Sequence, residues 1–506
     1  MSTKIIEFWK ANRAYWITPP SKQKEVDTFI TKQFIDYDWT DENLIGKIIF
    51  LDQFTRHFQR LGRITESKVE TERVLAIDII KHNIKSLKDF DEVEIIFAMM
   101  PFKHLKQYDF IFEYLHNQWL TADKKIIDFP DLQKFYIDTY KKAFRLDNVR
   151  ENLIAEHSLE PYDASLICDY YPEKYNNSSW SLEGAIDNKL LPLLKPERKV
   201  LVSLSGGVDS MVMLSLLKYN GADVSAVHIV YGNRKESEHE YRLLAEFCAR
   251  LSVPLFVYRI KWLRRGEVDR QFYEDMTRDL RFATYHAAAE VINSPEPCVM
   301  MGHIKDDVVE NIWTNIAHCH HLGNLKKMES EEVQLGVRIM RPLLTVDKAD
   351  IYQVSEEIGI PYFKNTTPSW SNRGKFREHF HAATVAQYGA GIDAKVIEFA
   401  EAIQTQNKLL NMLLYDPIYN SFKDNKVDVT TAVKANLDAN SWLGIFEHIC
   451  HKYLGRARPS IKCVRDFASR VSKWSWDKLN VEMGKGFKVQ MIQTREGKYI
   501  MEFILI

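Results

Sequence analysis

The stretch Val200-Leu-Val-Ser-Leu-Ser-Gly-Gly-Val-Asp-Ser210 joins a short apolar run to two glycines and an acidic residue flanked by serines. The apolar run Val200–Leu204 predicts a buried strand, and the pattern over Met211–Lys218 predicts a helix directly after it. Two glycines allow a tight turn in which successive N–H groups face an anion, and the helix start adds its dipole. The hydroxyls of Ser205 and Ser210 supply further donors. The sequence therefore predicts a phosphate-binding loop between a strand and a helix.

Asp209 lies inside this loop, where its charge would repel a phosphate unless a cation lay between them. Asp209 therefore implies Mg²⁺, which one or two carboxylates and substrate phosphates commonly hold together. The loop is not a Walker A loop, because the GxxxxGKS/T pattern is absent. An ordinary tight turn is the alternative, and the full SGGxDS pattern after an apolar strand makes it the weaker one.

Outward from the loop, short apolar runs alternate with helical patterns. Strands are predicted at Val224–Val230, Leu255–Ile260 and Cys298–Gly302, and helices at Glu238–Leu251 and Thr277–Val291. Such alternation predicts parallel βαβ units in a covered sheet.

The flanking regions are different in character. The N-terminal region has apolar residues mostly three and four positions apart, as at Ile45, Ile48 and Leu51, which predicts stacked antiparallel helices. A helical pattern returns after about residue 390, and an alternating pattern over 481–504 predicts a small β element. We expect a multidomain chain: an all-α domain over 1–150, a connector over 151–197, a parallel-sheet α/β domain over 198–390, and a mainly α region with a small β tail over 391–506.

The composition excludes several classes of protein. The 506 residues are 45% hydrophobic and carry 68 basic against 69 acidic side chains, so any nucleic-acid site must come from local clustering. Six cysteines without a CxxC pair argue against a zinc ribbon, an iron–sulfur site or a secreted disulfide framework. No signal-peptide core and no membrane-spanning apolar run occur, so we expect a cytoplasmic protein that does not enter a membrane.

The SGGVDS loop resembles the PP-loop of the ATP pyrophosphatases, which cleave ATP between the α- and β-phosphates and adenylate an oxygen of their substrate. Further blocks resemble the tRNA(Ile)-lysidine synthetase branch of that family. They are Ala226–Arg234 (AVHxxHGLR), Thr277–Phe282 (ARxxRY), Gly302–Glu310 (GHHxDDQAE) and Met340–Leu344 (RPLL). The resemblance covers roughly 198–385 and implies an adenine nucleotide alpha hydrolase-like fold, ATP and Mg²⁺ as cofactors, and tRNA as partner.

The resemblance also implies roles for individual residues. Arg278 would stabilise phosphate charge, and Asp307 and Glu310 would hold the amine of a substrate lysine; with Asp209 these are the candidate catalytic residues. Without the resemblance, the residues leave the role of each pair open. Arg278 with Arg281 equally suits a solvated helix face, and Asp307 with Glu310 equally suits the charged start of a helix. ATP would be held by Ser205, Gly206, Gly207, Asp209, Ser210, His228, Gly302 and His303, with the metal on Asp209.

Two segments depart from the family pattern. His318-Cys-His-His321 invites a metal site, but four adjacent side chains cannot converge on one tetrahedral ion, so a base- or phosphate-contacting loop is favoured. In the segment 366–377, Arg373, Lys375 and Arg377 lie among aromatic residues, which suits RNA backbone contact and base stacking. These departures leave the nucleophile open between lysine and another amine.

Two further clusters lie outside the PP-loop segment. Eight Lys or Arg between 452 and 478 form a basic stretch, in which Arg456, Arg458 and Arg465 are candidate RNA contacts; a solvated surface is the alternative. Ile48–His57 resembles the LLLDQFPRN signature of an uncharacterised bacterial family with tetratricopeptide-like architecture. Asp52, Gln53 and Arg56 of this stretch would form, together with His104, a polar site or, as we favour, a buried network that holds the helices together.

Together these patterns predict an ATP-dependent ligase that releases AMP and pyrophosphate. It would adenylate a carbonyl oxygen of a tRNA base, and a nucleophile would then displace AMP. The alternatives are a PP-loop enzyme with another nucleophile, for tRNA thiolation or small-molecule amide ligation, or a non-catalytic RNA-binding scaffold. Few cysteines near the acidic helix weigh against thiolation, and the intact SGGVDS loop weighs against a scaffold.

Overall fold

The computed structural model describes residues 3–15, 19–121, 124–144, 154–155, 199–233, 237–294, 297–317, 325–326, 328–363, 371–475, 478–484 and 486–505. Apart from a two-residue strand, the predicted connector over 151–197 lies outside these ranges. The His318–His321 segment also lies outside them.

Helices make up the N-terminal region, as predicted. Side-chain caps begin several of them, and α6 starts with a reciprocal capping box between Asp91 and Glu94. The predicted helical region is confirmed, whereas its tetratricopeptide-like architecture stays a prediction. The helices are α1 Lys4–Ala11, α2 Gln23–Phe34, α3 Leu44–Ile49, α4 Thr55–Arg60, α5 Glu66–His82, α6 Glu92–His104, α7 Tyr108–Tyr114 and α8 Pro130–Ala143, with π-helical turns at Phe50–Phe54 and Leu115–Trp119.

A mostly parallel sheet follows. Its strands are β1 Ile154–Ala155, β2 Val200–Ser203, β3 Val224–Val230, β4 Leu255–Arg259, β5 Cys298–Met301, β6 Glu331–Gln334 and β7 Val337–Met340. Among the described residues these strands have the order β1-β4-β3-β2-β5-β7-β6, with β1 and β6 antiparallel at the edges. The connecting helices are α9 Val208–Tyr219, α10 Ser237–Arg250, α11 Arg270–Val291, α12 Lys305–Ala317 and α13 Lys348–Ile358. The predicted parallel α/β sheet is confirmed.

The N-terminal helices pack directly against this sheet domain. Ile229 of β3 and Leu280 of α11 belong to the same buried cluster as the aromatic residues of α8. Within that contact the Tyr140 hydroxyl donates to the carbonyl oxygen of Lys261 at 3.0 Å, and Tyr136 donates to the carbonyl of Trp262. The helical region and the sheet therefore share one core.

The C-terminal region is mainly helical and ends in an antiparallel sheet, as predicted. Within its described ranges the sheet order is β8-β11-β10-β9, formed by β8 Lys426–Asp428, β9 Leu479–Gly484, β10 Phe487–Gln493 and β11 Tyr499–Leu505. The helices are α14 Asn372–Lys375, α15 Ala382–Tyr388, α16 Ile392–Leu410, α17 Asp416–Asn420, α18 Thr430–Lys434, α19 Ala439–Ile449 and α20 Ile461–Ser472, with π-helical turns at Phe376–His381, Asn411–Tyr415 and Cys450–Leu454. Among the described residues, no helix combines the length and the apolar character that crossing a membrane requires.

Two adjacent strands bring the SGGVDS loop against the segment after β5. β2 and β5 pair in parallel, so the segments that follow these two strands leave the sheet at the same edge. A Cβ atom at Gly302 would lie 2.8 Å from the backbone nitrogen of Ser210 and 2.9 Å from its Cα. Only a residue without a side chain permits this backbone approach.

We predict that Gly302→Ala displaces the loop. The added methyl group meets backbone rather than a flexible side chain, so we expect a loss of about 1–3 kcal/mol in the free energy of unfolding and a strong fall in ATP turnover. The matched control is Gly391→Ala, since an added Cβ there meets nothing within 4 Å. Denaturant unfolding and ATP turnover of both variants test the prediction, and a G302A variant with the properties of the control would contradict it.

Candidate active site

The SGGVDS loop turns at Gly206, whose φ is +86°. Residues with a Cβ atom are strained at this φ, whereas glycine adopts it readily. The Gly206 carbonyl accepts a hydrogen bond from the Phe363 backbone nitrogen at 3.0 Å. A Cβ atom at Gly206 would lie 3.5 Å from the Phe363 ring. Conformation and hydrogen bonding thus both fix the turn at this glycine.

Two serines brace the loop from within. The Ser205 backbone nitrogen donates to the Ser210 hydroxyl at 3.2 Å, and that hydroxyl donates to the Gly207 carbonyl at 3.0 Å. Helix α9 begins at Val208, three residues before the predicted start at Met211, so Ser210 lies in its first turn. The first turn of a helix has N–H groups without intrahelical partners, which suits it to bind a phosphate.

Asp209 forms an ion pair with Lys348, the first residue of α13. The Lys348 ammonium donates to both carboxylate oxygens, at 2.7 and 2.8 Å. Burial raises the pKa of Asp209 above its ordinary value even though Lys348 opposes that shift. A further positive charge beside Asp209 would therefore be stabilised. Sequence analysis missed Lys348, whose one available signal is its position shortly after β7.

Both candidate histidines are neutral and held by neighbours. The Nδ1 atom of His228 donates to the Leu204 carbonyl at 2.8 Å, directly before the loop, and burial lowers the pKa of His228 to about 4. The Nδ1 atom of His303 accepts from the Nε of Arg341 at 3.0 Å, and burial lowers the pKa of His303 to about 4. Arg341 is the arginine of the RPLL block, and sequence analysis gave it no role in the site.

Asp307 and Glu310 lie on one buried face of α12 and meet two arginines. Arg373 donates from Nη2 to Asp307 at 2.8 Å and from Nε to Glu310 at 2.5 Å. Arg377 donates from Nη2 to Asp307 at 2.8 Å and from Nε to Glu310 at 3.2 Å. We call these four residues the charge quartet. The paired carboxylates that sequence analysis expected to hold an amine are thus occupied by guanidiniums of the segment expected to contact RNA.

The charge quartet lies beside the SGGVDS loop. After burial and Lys348, the next influences on the pKa of Asp209 are the Asp307 carboxylate, which raises it, and the Arg377 guanidinium, which lowers it. Arg373 is stabilised in its charged form by Glu310, by Asp307 and also by Asp209. The loop and the quartet therefore belong to one electrostatic site at the carboxyl edge of the sheet, where α/β proteins bind ligands.

The two arginines of α11 lie in different surroundings. Arg278 is exposed and pairs with Asp275 at 3.2 Å and Asp279 at 3.5 Å, which is the solvated-face alternative of the sequence analysis. Arg281 is partly buried and hydrogen-bonds the Tyr231 side chain. After burial, the charges of Arg341, Arg373 and Arg281 lower the pKa of His303, against the opposing influence of Asp307. Of the two arginines, Arg281 is therefore the one whose charge influences a residue of the site, His303.

The residues around Asp209 fit a metal bound through ATP. Mg²⁺ usually takes one or two carboxylates together with phosphate oxygens and waters. Asp209 offers one such carboxylate at the phosphate-binding loop. Within the described residues no group of three or more His, Cys, Asp or Glu side chains could hold a metal by itself.

The other candidate RNA contacts differ in their environment. Lys375 is exposed, and Arg465 is exposed on α20. Arg458 has a half-exposed side chain with Glu447 3.9 Å away. Arg456 instead donates to the Gly486 carbonyl at 2.9 Å, linking the turn before α20 to the terminal sheet. The structure thus leaves Lys375, Arg458 and Arg465 accessible to a polyanion and uses Arg456 for packing.

The segment that contains the SGGVDS loop and the charge quartet is similar to known proteins. Residues 180–377 match the family model of the PP-loop domain, which confirms that the chain contains such a domain. The chain is 29% identical to a tRNA(Ile)-lysidine synthase from Chlamydia muridarum over 210 residues, which cover 41% of this chain and 64% of that protein. It is 31% identical to the enzyme of that name from Chlamydia pneumoniae over 183 residues, covering 35% and 56% of the two chains.

The chain thus spans less than two thirds of the length of these relatives. Among solved structures, the U34-tRNA thiolase NcsA from Methanococcus maripaludis aligns with a TM-score of 0.36 and 16% identity, covering 44% of this chain and 77% of that one.

Proposed function

We propose that the protein modifies a tRNA base in two ATP-dependent steps, as a ligase that releases AMP and pyrophosphate. In the first step a carbonyl oxygen of the base attacks the α-phosphorus of ATP, and pyrophosphate leaves. In the second step a nucleophile attacks the ring carbon that carries the new ester, and AMP leaves with that oxygen. Adenylation converts a poor leaving group into a good one.

The observation that carries this proposal is the placement of the charge quartet beside the SGGVDS loop. A phosphate-binding loop needs donors and a cation. The α9 N-terminus and the two serines would supply the donors, Lys348 would supply a positive charge, and Asp209 would hold Mg²⁺. The second step needs groups that orient a nucleophile next to the same nucleotide. Two observations support Asp307 and Glu310 in this role: the charge of Asp307 influences Asp209 of the loop, and Arg373 and Arg377 join Asp307 to Glu310. The resemblance of the same segment to tRNA(Ile)-lysidine synthases supports tRNA as the substrate.

Each residue then has a defined task. The loop amides and serine hydroxyls would bind the phosphates, and Mg²⁺ would neutralise phosphate charge at Asp209. Lys348 would transfer from the Asp209 carboxylate to a phosphate. An incoming amine, with lysine as the first candidate, would exchange with Arg373 or Arg377 on the carboxylates of the charge quartet. The released guanidinium would then be free to contact phosphate or RNA.

We predict that ATP is converted to AMP and pyrophosphate in the presence of tRNA, and that Asp209→Asn abolishes this turnover. Loss of the carboxylate removes the proposed metal contact and frees Lys348, so we expect turnover to fall by about 100-fold or more. The matched control is Asp347→Asn, which removes the partner of Lys305 in an exposed Asp–Lys pair of 2.9 Å. Chromatography of labelled nucleotides measures both products; release of ADP would refute the proposed chemistry.

We predict that the double variant Asp307→Asn, Glu310→Gln completes adenylation but fails in the second step. Neutral amides cannot hold an ammonium group as the two carboxylates would, so adenylated tRNA should accumulate. Single-turnover kinetics with labelled ATP and each candidate amine separate the two steps. If pyrophosphate release is lost as well, the carboxylates serve ATP rather than the amine.

A second double variant provides the control for this experiment. Arg373→Gln with Arg377→Gln leaves the carboxylates of the charge quartet without their guanidinium partners. If the carboxylates bind the amine, this variant should complete the second step and reach half-maximal rate at a lower amine concentration. If the carboxylates only hold the arginines in place, both double variants should show the same defect.

We predict that tRNA binding depends on the exposed cations of α20 and the turn before it. Reversing Arg458, Lys462 and Arg465 to Glu should weaken binding of every RNA alike, because phosphate contacts carry no base information. The slope of log K against log salt should become less steep by roughly 2 to 3 units. Arg456 is left intact because it holds Gly486.

The matched control for RNA binding is the triple reversal of three exposed lysines in the N-terminal region, Lys81, Lys85 and Lys88. It makes the same change in net charge on another surface. Filter binding or fluorescence anisotropy across a salt series measures both variants. Equal affinities for the two would show that this stretch is an ordinary solvated surface.

A further inference from the structure

The N-terminal helices enclose a cavity that lies outside the PP-loop site. It has a volume of about 310 Å³ and is bounded by α4, the first half of α5 and the end of α6. The charged and polar side chains that line it are Arg56, Gln59, Glu66, Glu70, Arg73 and His104. A cavity of this size accommodates a small metabolite.

Asp52 forms the base of a polar network at this cavity. Its side chain is fully buried, and it accepts hydrogen bonds from the Nε of Arg73 at 2.7 Å and from the Nδ1 of His104 at 2.9 Å. Burial opposes its charge, but His104 and Arg73 outweigh burial and hold the pKa of Asp52 below its ordinary value. Asp52 is therefore ionised and satisfied within the protein.

Arg56, unlike Asp52, has no oppositely charged side chain within ion-pair distance among the described residues. Its Nη1 atom lies 3.0 Å from the Nε2 of His104. Because Nδ1 of that ring donates to Asp52, Nε2 is left to accept from Arg56. Within the described parts of the chain, no carboxylate lies within 4.0 Å of the Arg56 guanidinium. Burial, in the first place, and then the charges of Arg73 and Arg60 lower the pKa of Arg56, against the influence of Asp52.

The charges at the cavity base therefore do not balance. Arg56 and Arg73 contribute two positive charges, and Asp52 contributes one negative charge. Arg56 is half-buried, and a cation in such a place with no carboxylate within 4.0 Å is costly, so a structure that only needed a polar network would be at least as stable with a neutral side chain at position 56. Glu66 and Glu70 also line the cavity, but they are exposed at its edge and, within the described residues, form no ion pair with Arg56 or Arg73. The positive charge at the base therefore points to an anionic group supplied from outside the chain.

We propose that this cavity binds a small molecule through a carboxylate or phosphate group placed against the guanidiniums of Arg56 and Arg73. A guanidinium presents paired donors that match either group in a bidentate arrangement. Glu66 and Glu70 are exposed at the edge of the cavity. They favour a ligand whose opposite end carries a positive charge. The proposal extends beyond the modification of tRNA and does not depend on it.

Binding of matched probes to the full chain tests the proposal. The probes are butyrate, γ-aminobutyrate and inorganic phosphate, followed by saturation-transfer NMR and calorimetry. We expect saturable binding of a carboxylate, of phosphate or of both, with γ-aminobutyrate tighter than butyrate because its ammonium group meets Glu66 and Glu70. Binding by phosphate alone or by carboxylates alone identifies the natural group. If none of the three binds at millimolar concentration, the proposal is wrong.

Two variants assign the binding to the cavity. Arg56→Gln should weaken binding by about tenfold or more, whereas Arg63→Gln, an exposed arginine just after α4, should leave it unchanged. Without ligand, Arg56→Gln should unfold at the same or a higher denaturant concentration, because it removes a half-buried cation that has no carboxylate within 4.0 Å. A marked loss of stability in Arg56→Gln, or probe binding that survives this substitution, would show a structural network and overturn the proposal. ATP turnover should not change in either variant.

Discussion

The backbone contact between Gly302 and the first turn of α9 is the constraint on which the geometry of the candidate site depends. β2 and β5 are neighbouring parallel strands, so the segments that follow them leave the sheet side by side. The absence of a side chain at position 302 lets those segments touch, which places Asp209 near the segment that carries His303 and Asp307. Gly206 contributes the other half of the constraint, because its positive φ turns the chain from β2 directly into α9. The lack of a Cβ atom is therefore required at two positions of the site, at Gly302 for the close backbone contact and at Gly206 for the turn.

Charge balance follows from that geometry. Asp209, Asp307 and Glu310 meet Lys348, Arg373 and Arg377, so within the described residues three carboxylates face three cations. Removing one member of such a pair would leave the other charge buried and uncompensated, so each member can exchange its partner only for a ligand of the same charge. In the proposed reaction, phosphates would attract the three cations, while Mg²⁺ and an ammonium group would take the three carboxylates. The ion pairs seen without ligand thus mark the positions where opposite charges belong when substrates bind.

Sequence patterns predicted the parallel sheet and the SGGVDS loop because both rest on local features, namely short apolar runs and closely spaced glycines. They failed where the decisive partner is distant in sequence. Lys348 lies 139 positions from Asp209, and Arg373 lies 63 from Glu310, so no periodicity could have paired them. The ARxxRY block singled out Arg278, which is exposed, whereas Arg281 of the same block is partly buried and hydrogen-bonds Tyr231. The start of α11 was placed seven residues late, because its first turns are polar and its start depends on the Asp269 cap.

The N-terminal helices bear on the same site through the sheet itself. In β3 successive side chains point to opposite faces, so His228 supports the loop through Leu204 while the adjacent Ile229 enters the core shared with the helices. Tyr136 and Tyr140 of α8 extend that contact by donating to backbone carbonyls just after β4. Loss of the helices would expose one face of β3 and leave those carbonyls without their donors, at a cost in free energy borne by the strand that holds His228. The helical region is therefore part of the structural support of the ATP site, and a ligand bound in its cavity would stabilise the same cooperative unit.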